Sequence, residues 1–317
     1  MSAADLAGRL TADPVLRLLA HGFATANHRP PDAVWQAPYA FHCTAHAVPP
    51  GRAPTGTGPR TDWVAAADRR VGVAVAARAD GMLRCGSLNH PAEGAELPLT
   101  GPAGRAPDWA ARPYAALRAL AAAGIGRGGA DLQLNATLSE AVGLPLAEPL
   151  ECAAALAVAA AHADRGGPPL HRAQLLRLLG GAVPGDQALR RAVLFARPGR
   201  LLAADGSVHQ PLHSPDGGPE PSLLLVTVRT AATGGDGRTP AGAAATGVAL
   251  VLREALRAGA WSAWWPGRRP GRSVLVLAPG DRRAAIRTAV AGACARCALP
   301  VPRFLRITLA DAAHRAH

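Results

Sequence analysis

The sequence predicts an α+β protein, and three observations carry that expectation. Short runs of β-branched residues and leucine recur, as "VGVAVAA" at 71–77, "LLLVTV" at 223–228 and "SVLVLA" at 273–278. Apolar residues three and four apart run through 108–123, the spacing of one helix face. The two kinds of segment follow one another without strict βαβ alternation, so a doubly wound parallel sheet is not indicated.

Taken in order, residues 12–24 read as a short helix with Thr11 or Asp13 placed to cap it. "VPPGRAPTGTGPRT" at 48–61 is a proline- and glycine-rich loop before the strand at 71–77. After the helix at 108–123, residues 131–138 alternate as a strand. They lead into "GLPLAEPLECAAALAVAAAH" at 143–162, a glycine turn feeding an alanine-rich helix. Residues 170–179 form another short helix, which "GGAVPGDQ" breaks. The segment 231–246 is rich in Gly, Ala and Thr and reads as flexible, and "HQPLH" at 209–213 reads as loop because Pro211 prevents a helical pair of histidines. A helix over 281–299 and a closing strand over 303–310 complete the chain.

Composition narrows the function classes. Hydrophobic residues make up 49% of the 317 and aromatics only 4%, so the core is expected to be close-packed, alanine-rich and helical. The formal net charge of +12 raises nucleic acid as a partner. Every side-chain cation other than histidine is arginine, however, and the arginines are dispersed rather than gathered into a patch. That pattern reads as the codon bias of a GC-rich genome. Five cysteines without framework spacing point to a reducing, cytoplasmic compartment, and no stretch reads as a signal peptide or a membrane span. Cys294 and Cys297 form a single CxxC inside a helix pattern, without a second pair to make a metal site.

Four segments taken in order resemble the galactokinase family of the GHMP kinase superfamily. "PPDAVWQAPYAFHCTAH" (30–46) is similar to the sugar-binding motif, and "GGADLQLNATLSEAVGLPLAEPLECAAALA" (128–157) to the strand, phosphate loop and helix of the second motif. "VPGDQ" (183–187) is similar to the segment holding the catalytic aspartate, and "AGAWSAWWPGRRPGRSVLVLAP" (258–279) to the glycine-rich third motif. The resemblance implies a two-domain GHMP-kinase-like fold. Its N-terminal domain would span 1–180, and a shortened C-terminal domain, with only 229–257 between mid-domain strand and third motif, would span 181–317. It assigns Asp186 as the catalytic position. It assigns Gly143, Leu144, Ala147 and Glu148 to the phosphate loop, and Tyr39, Ala40, His46, Gly267 and Gly271 to the substrate motifs.

The departures are as informative as the match. The family's phosphoryl-supporting arginine corresponds to Ala40, and the acidic residues that grip the sugar correspond to His46 and Pro49. The three phosphate-loop serines correspond to Pro145, Leu146 and Ala147. Pro145 and Pro149 each remove an N–H donor, and Glu148 adds a carboxylate. A phosphate charge ~5 Å from Glu148 would be disfavoured by about 3 kcal/mol at an effective dielectric of ~20. The helix is therefore expected to be self-capped, with Glu148 compensating the dipole where a phosphate would sit. Asp186, without its arginine, reads as a solvated loop residue, and His42 as structural.

The expected function is a galactokinase-like protein with impaired catalysis, binding an unknown small molecule or protein in the cleft and requiring no cofactor or metal. An active sugar kinase using ATP and Mg²⁺ is the alternative. A third is an anion or nucleic-acid binder built on Arg268, Arg269 and Arg272, where tryptophans interleave with arginines.

Overall fold

The structure is a computed structural model and describes residues 13–43, 63–138, 142–212, 218–228, 241–267 and 271–316, with backbone alone at 241–245. The loop at 48–61, His46, Pro49, residues 139–141 and Arg268–Pro270 lie outside the described residues.

Helix α1 (Pro14–Asn27) starts where Asp13 Oδ1 accepts the Val15 amide at 2.8 Å, so Asp13 is the cap. Strand β1 (Ala33–Cys43) pairs antiparallel with the long β2 (Trp63–Ala77). Then come β3 (Met82–Ser87), β4 (Ala95–Pro98), α2 (Asp108–Ala122) and β5 (Gly129–Ala136), with β3 and β5 parallel. Three helices follow: α3 (Ala147–Ala163), α4 (Arg172–Ala182) and α5 (Gln187–Phe195). The short hairpin of β6 (Arg200–Ala203) and β7 (His209–Pro211) attaches to β2.

The rest of the chain supplies β8 (Pro221–Thr227), α6 (Ala241–Arg257), β9 (Ser262–Trp264), β10 (Ser273–Pro279), α7 (Arg283–Arg296), β11 (Arg303–Ile307) and β12 (His314–Arg315). Two sheets result. The larger runs β12-β1-β2-β5-β3-β4 with the β6–β7 hairpin beside β2, and the smaller runs β11-β8-β10-β9. The architecture is α+β, as the mixed pattern implied. The larger sheet takes strands from both sides of residue 180.

Two expectations are corrected here. His209–Pro211 is a strand, not loop: Pro211 sits at the end of an edge strand, where a missing N–H costs no ladder bond. The flexible reading of 231–246 fails from 241 onward, because Ala241 begins α6. Alanine's helix propensity outweighs the glycines there.

The smaller sheet explains why "LLLVTV" and "SVLVLA" are unbroken apolar runs. Leu223, Leu225, Leu275 and Leu277 face the main core, while Leu224, Val226, Val274 and Val276 face α6 and α7. Both faces are covered, so strict polar alternation is absent. Helix α3 is buried along nearly its whole length, and Ala153, Ala154, Ala155 and Ala157 are fully inaccessible. A helix apolar all round belongs in the interior, and its small side chains let it lie close against β1 and β2.

Candidate functional site

The four motif segments converge where the N-termini of α3 and α5 meet strand β1. Asp186 is the N-cap of α5: its Oδ1 accepts the amides of Ala188 at 2.9 Å and Leu189 at 3.3 Å. Its Oδ2 accepts a hydrogen bond from His42 Nε2 at 2.8 Å, and its own amide donates to Glu148 Oε1 at 3.1 Å. The side chains of His42 and Asp186 retain only 15% and 11% of their exposure. Asp186 is therefore not a solvated loop carboxylate, and His42 is its partner across the cleft.

His42 is held from the other side by the third motif. Its amide donates to Pro266 O at 2.9 Å, and Trp264 Nε1 donates to His42 O at 2.6 Å. Trp264 is buried and packs into the main core, whereas Trp265 is exposed. Gly267 and Gly271 flank the undescribed arginines; Gly271 is exposed.

Behind Asp186 lies a buried charge network that the sequence reading missed. Glu151, one turn beyond Glu148 on α3, is fully buried. It accepts from Arg190 Nε at 2.6 Å and from Arg112 Nη2 and Nε at 2.8 and 3.0 Å. Arg190 also donates to the carbonyls of Leu179 and Val183. Burial pushes the Glu151 carboxyl above the usual carboxylate range, opposed by the two guanidinium groups. The signal was present: Glu151, like Glu148, is a charge within a helix otherwise fit only for the interior, and such a residue requires a partner.

Gly185 has a steric reason to be glycine. A Cβ there would lie 2.3 Å from Arg112 Nη2 and 2.6 Å from Arg190 Nη2. The "PGD" step thus lets the chain pass between two guanidinium groups and deliver Asp186 to the cleft.

The phosphate-loop positions have changed use. Gly143 has φ +78°, a conformation that favours glycine, and it abuts the start of β10. There Ser273 Oγ donates to Val142 O. Leu144 is buried and Ala147 half-buried. The expectation of a self-capped helix needs correction. The cap residue of α3, Leu146, makes no side-chain hydrogen bond, and the Glu148 carboxylate is spent on the Asp186 amide and on Arg112 Nη2 at 3.5 Å. Tertiary partners outcompete the local cap because Glu148 is 93% buried, with the Asp186 loop directly above it. Tyr39 and Ala40 are buried in β1, and the Tyr39 hydroxyl donates to Leu138 O at 2.8 Å.

Among the described residues, the start of α3 lacks the free donors and cations that a triphosphate and its metal would need. Pro149 offers no amide in the first turn of α3, Glu148 occupies the positive end of the helix, and Arg112 and Arg190 are both committed to Glu151. Cys294 is buried and Cys297 exposed at the end of α7, and among the described residues no His, Cys, Asp and Glu side chains cluster in a metal-holding group. Nor is any helix among the described residues long and apolar enough to cross a membrane.

The chain adopts the fold of the GHMP-superfamily kinases. It superposes on galactokinase from Lactococcus lactis, solved in complex with galactose, with a TM-score of 0.68 at 12% identity, over 95% of this chain and 99% of that one. Mevalonate kinase from Methanococcus jannaschii gives 0.52 at 9% identity over 88% and 98%. Homoserine kinase from Cytophaga hutchinsonii gives 0.52 at 15% over 89% and 96%. No family profile and no curated protein matches the sequence.

Proposed function

We propose that this protein is a galactokinase-like pseudokinase, which keeps the kinase fold and its cleft as a small-molecule or protein-binding element but does not transfer phosphate. The observation that carries the reading is the Glu148 carboxylate, buried at the N-terminus of α3 and fixed by Arg112 and the Asp186 amide. It puts negative charge where a phosphate donor would need positive potential. Phosphoryl transfer depends on positioning and on stabilising developing charge, and both need free cations and amides at that point. Among the described residues, Arg112 and Arg190 are instead neutralised by Glu148 and Glu151.

The test is calorimetry with Mg·ATP together with a coupled assay for sugar phosphate from galactose. Neither heat at millimolar nucleotide nor turnover is expected, and Ala40→Arg alone does not restore activity. Micromolar Mg·ATP affinity, or turnover that disappears in Asp186→Ala, would overturn the reading.

One observation favours the second reading, an active ATP-dependent sugar kinase with altered chemistry. Asp186 accepting from Nε2–H of His42 fixes the imidazole with Nδ1 as the available base, the arrangement used for proton abstraction from a hydroxyl. Under that reading His42→Gln abolishes turnover while leaving the fold intact.

A further inference from the structure

The larger sheet has a second concave site on the face opposite α3. Helix α1 covers that face over β1 and β2, with Leu16, Leu19 and Phe23 packed on Val34, Ala74 and Ala76. Helix α1 also reaches over β5, with β3 and β4 beyond it. This leaves a groove of about 860 Å³ between the helix and the 88–96 turn. Its floor is Gly86 and its register partner Gln133.

Gln133 is 93% buried, yet its carboxamide makes no hydrogen bond to any described residue. The contrast with its neighbour on the same face is sharp: Asp131, equally buried, is paired with both Arg29 and Arg78. The Gln133 carboxamide still reaches the groove, so its partners come from whatever fills it. Gly86 keeps it accessible, because a Cβ there would lie 2.7 Å from Gln133 Oε1.

The only arginine lining the groove is already paired, Arg84 Nε with Glu96 at 3.0 Å, and Glu93 accepts from Trp109 Nε1 at 3.2 Å. No guanidinium among these lining residues is left open for a phosphate. The His90 ring lies flat on Trp109, with centroids 5.9 Å apart and 8° between planes, and forms one wall. A flat wall and an unpaired carboxamide suit a planar, uncharged group with a hydrogen-bond donor and acceptor side by side.

We propose that this groove is a binding site, distinct from the cleft, for an uncharged planar ligand whose donor–acceptor edge pairs with Gln133. A nucleobase and a primary carboxamide share that chemistry. The test is a titration of the full chain with adenosine and, separately, nicotinamide, followed by ¹H–¹⁵N spectra. The Gln133 side-chain NH₂ resonance is assigned by its loss in Gln133→Leu. A saturable shift of that resonance is expected. Adenosine alone causing it identifies a base ligand, nicotinamide alone a carboxamide ligand, and both together show that the edge suffices.

Thr25→Trp, which fills the groove from the exposed face of α1, and Gln133→Leu weaken binding roughly tenfold or more, read at the Gly86 amide. Asp186→Ala leaves it unchanged. The proposal is overturned if neither probe moves the Gln133 resonance at its solubility limit. It is equally overturned if affinity is unaltered in a natively folded Thr25→Trp, or if Asp186→Ala abolishes the shift.

Discussion

At the scale of single residues, the cleft is governed by what small side chains permit and by what carboxylates are tied to. Gly185 and Gly181 make a controlled pair four residues apart. Gly185→Ala drives a methyl group into both guanidinium groups around Glu151, and a loss of about 1–3 kcal/mol is expected in urea denaturation. Gly181 lies in α4 with nothing within 4 Å of an added Cβ. Gly181→Ala should therefore stabilise by about 0.5–1 kcal/mol, the ordinary helix preference. Equal effects at the two positions would show that the guanidinium contacts do not set the requirement at 185. Residue roles were also the least legible part of the sequence. Glu148 was visible as an intruder in a phosphate loop, but its partners, Arg112 on α2 and the Asp186 amide, come from distant segments. Nothing in the spacing links 112, 148 and 186. The same is true of His42, which is one residue in a strand until α5 is placed beside it.

At the scale of elements, the helix starts concentrate the stabilising interactions. Asp186 caps α5 through two amides and also holds His42, so Asp186→Ala removes both interactions, whereas His42→Ala removes one. The cap alone is expected to contribute about 0.5–2 kcal/mol. A double-mutant cycle on the pair should give a coupling of about 0.5–3 kcal/mol. Strict additivity would mean that the imidazole and carboxylate do not interact in solution. Elements were read well where the pattern was long: α2, α3, α7 and β10 fall within a few residues of the expected bounds. The 11-residue strand β1, the first half of β2 and helix α5 were not read, and other misses were short or compositionally disguised. Strand β7 hides behind a proline, β9 is only Ser262–Trp264, and α6 opens in an Ala- and Gly-rich run that reads equally well as a linker. In each case the deciding force is a tertiary contact that no local window contains.

At the scale of the whole molecule, burial orders the thiols. Cys297 is exposed, whereas Cys43, Cys85, Cys152 and Cys294 are buried. Burial pushes the Cys85 thiol up to about 12 and raises Cys43 and Cys152 as well, so little thiolate is available to react. Treatment of the native protein with iodoacetamide, read by peptide mass spectrometry, should modify Cys297 first. Cys43, Cys85 and Cys152 should follow only with global unfolding. Early labelling of Cys152 would indicate that α3 opens independently of the rest. The overall architecture was legible in the order of four degenerate motifs. The chemistry of the cleft was legible only in part, because loss of the serines shows in the sequence while the pairing of Arg112 and Arg190 with Glu151 does not.

Strand β12 bears on the order in which the chain is made and folded. Trp35 of β1 is paired with Arg315, so one flank of the larger sheet joins residues 280 positions apart. During synthesis at roughly 5–20 residues per second, β1 would wait about 15–60 s for that neighbour. Throughout the interval its outer edge presents unpaired amides and carbonyls beside an apolar run, the kind of surface that recruits stray strands. Folding of this chain on the ribosome should accordingly depend on whatever shields β1 until β12 emerges. Pulse-proteolysis of stalled nascent chains ending before and after residue 315 would locate the moment at which that edge closes.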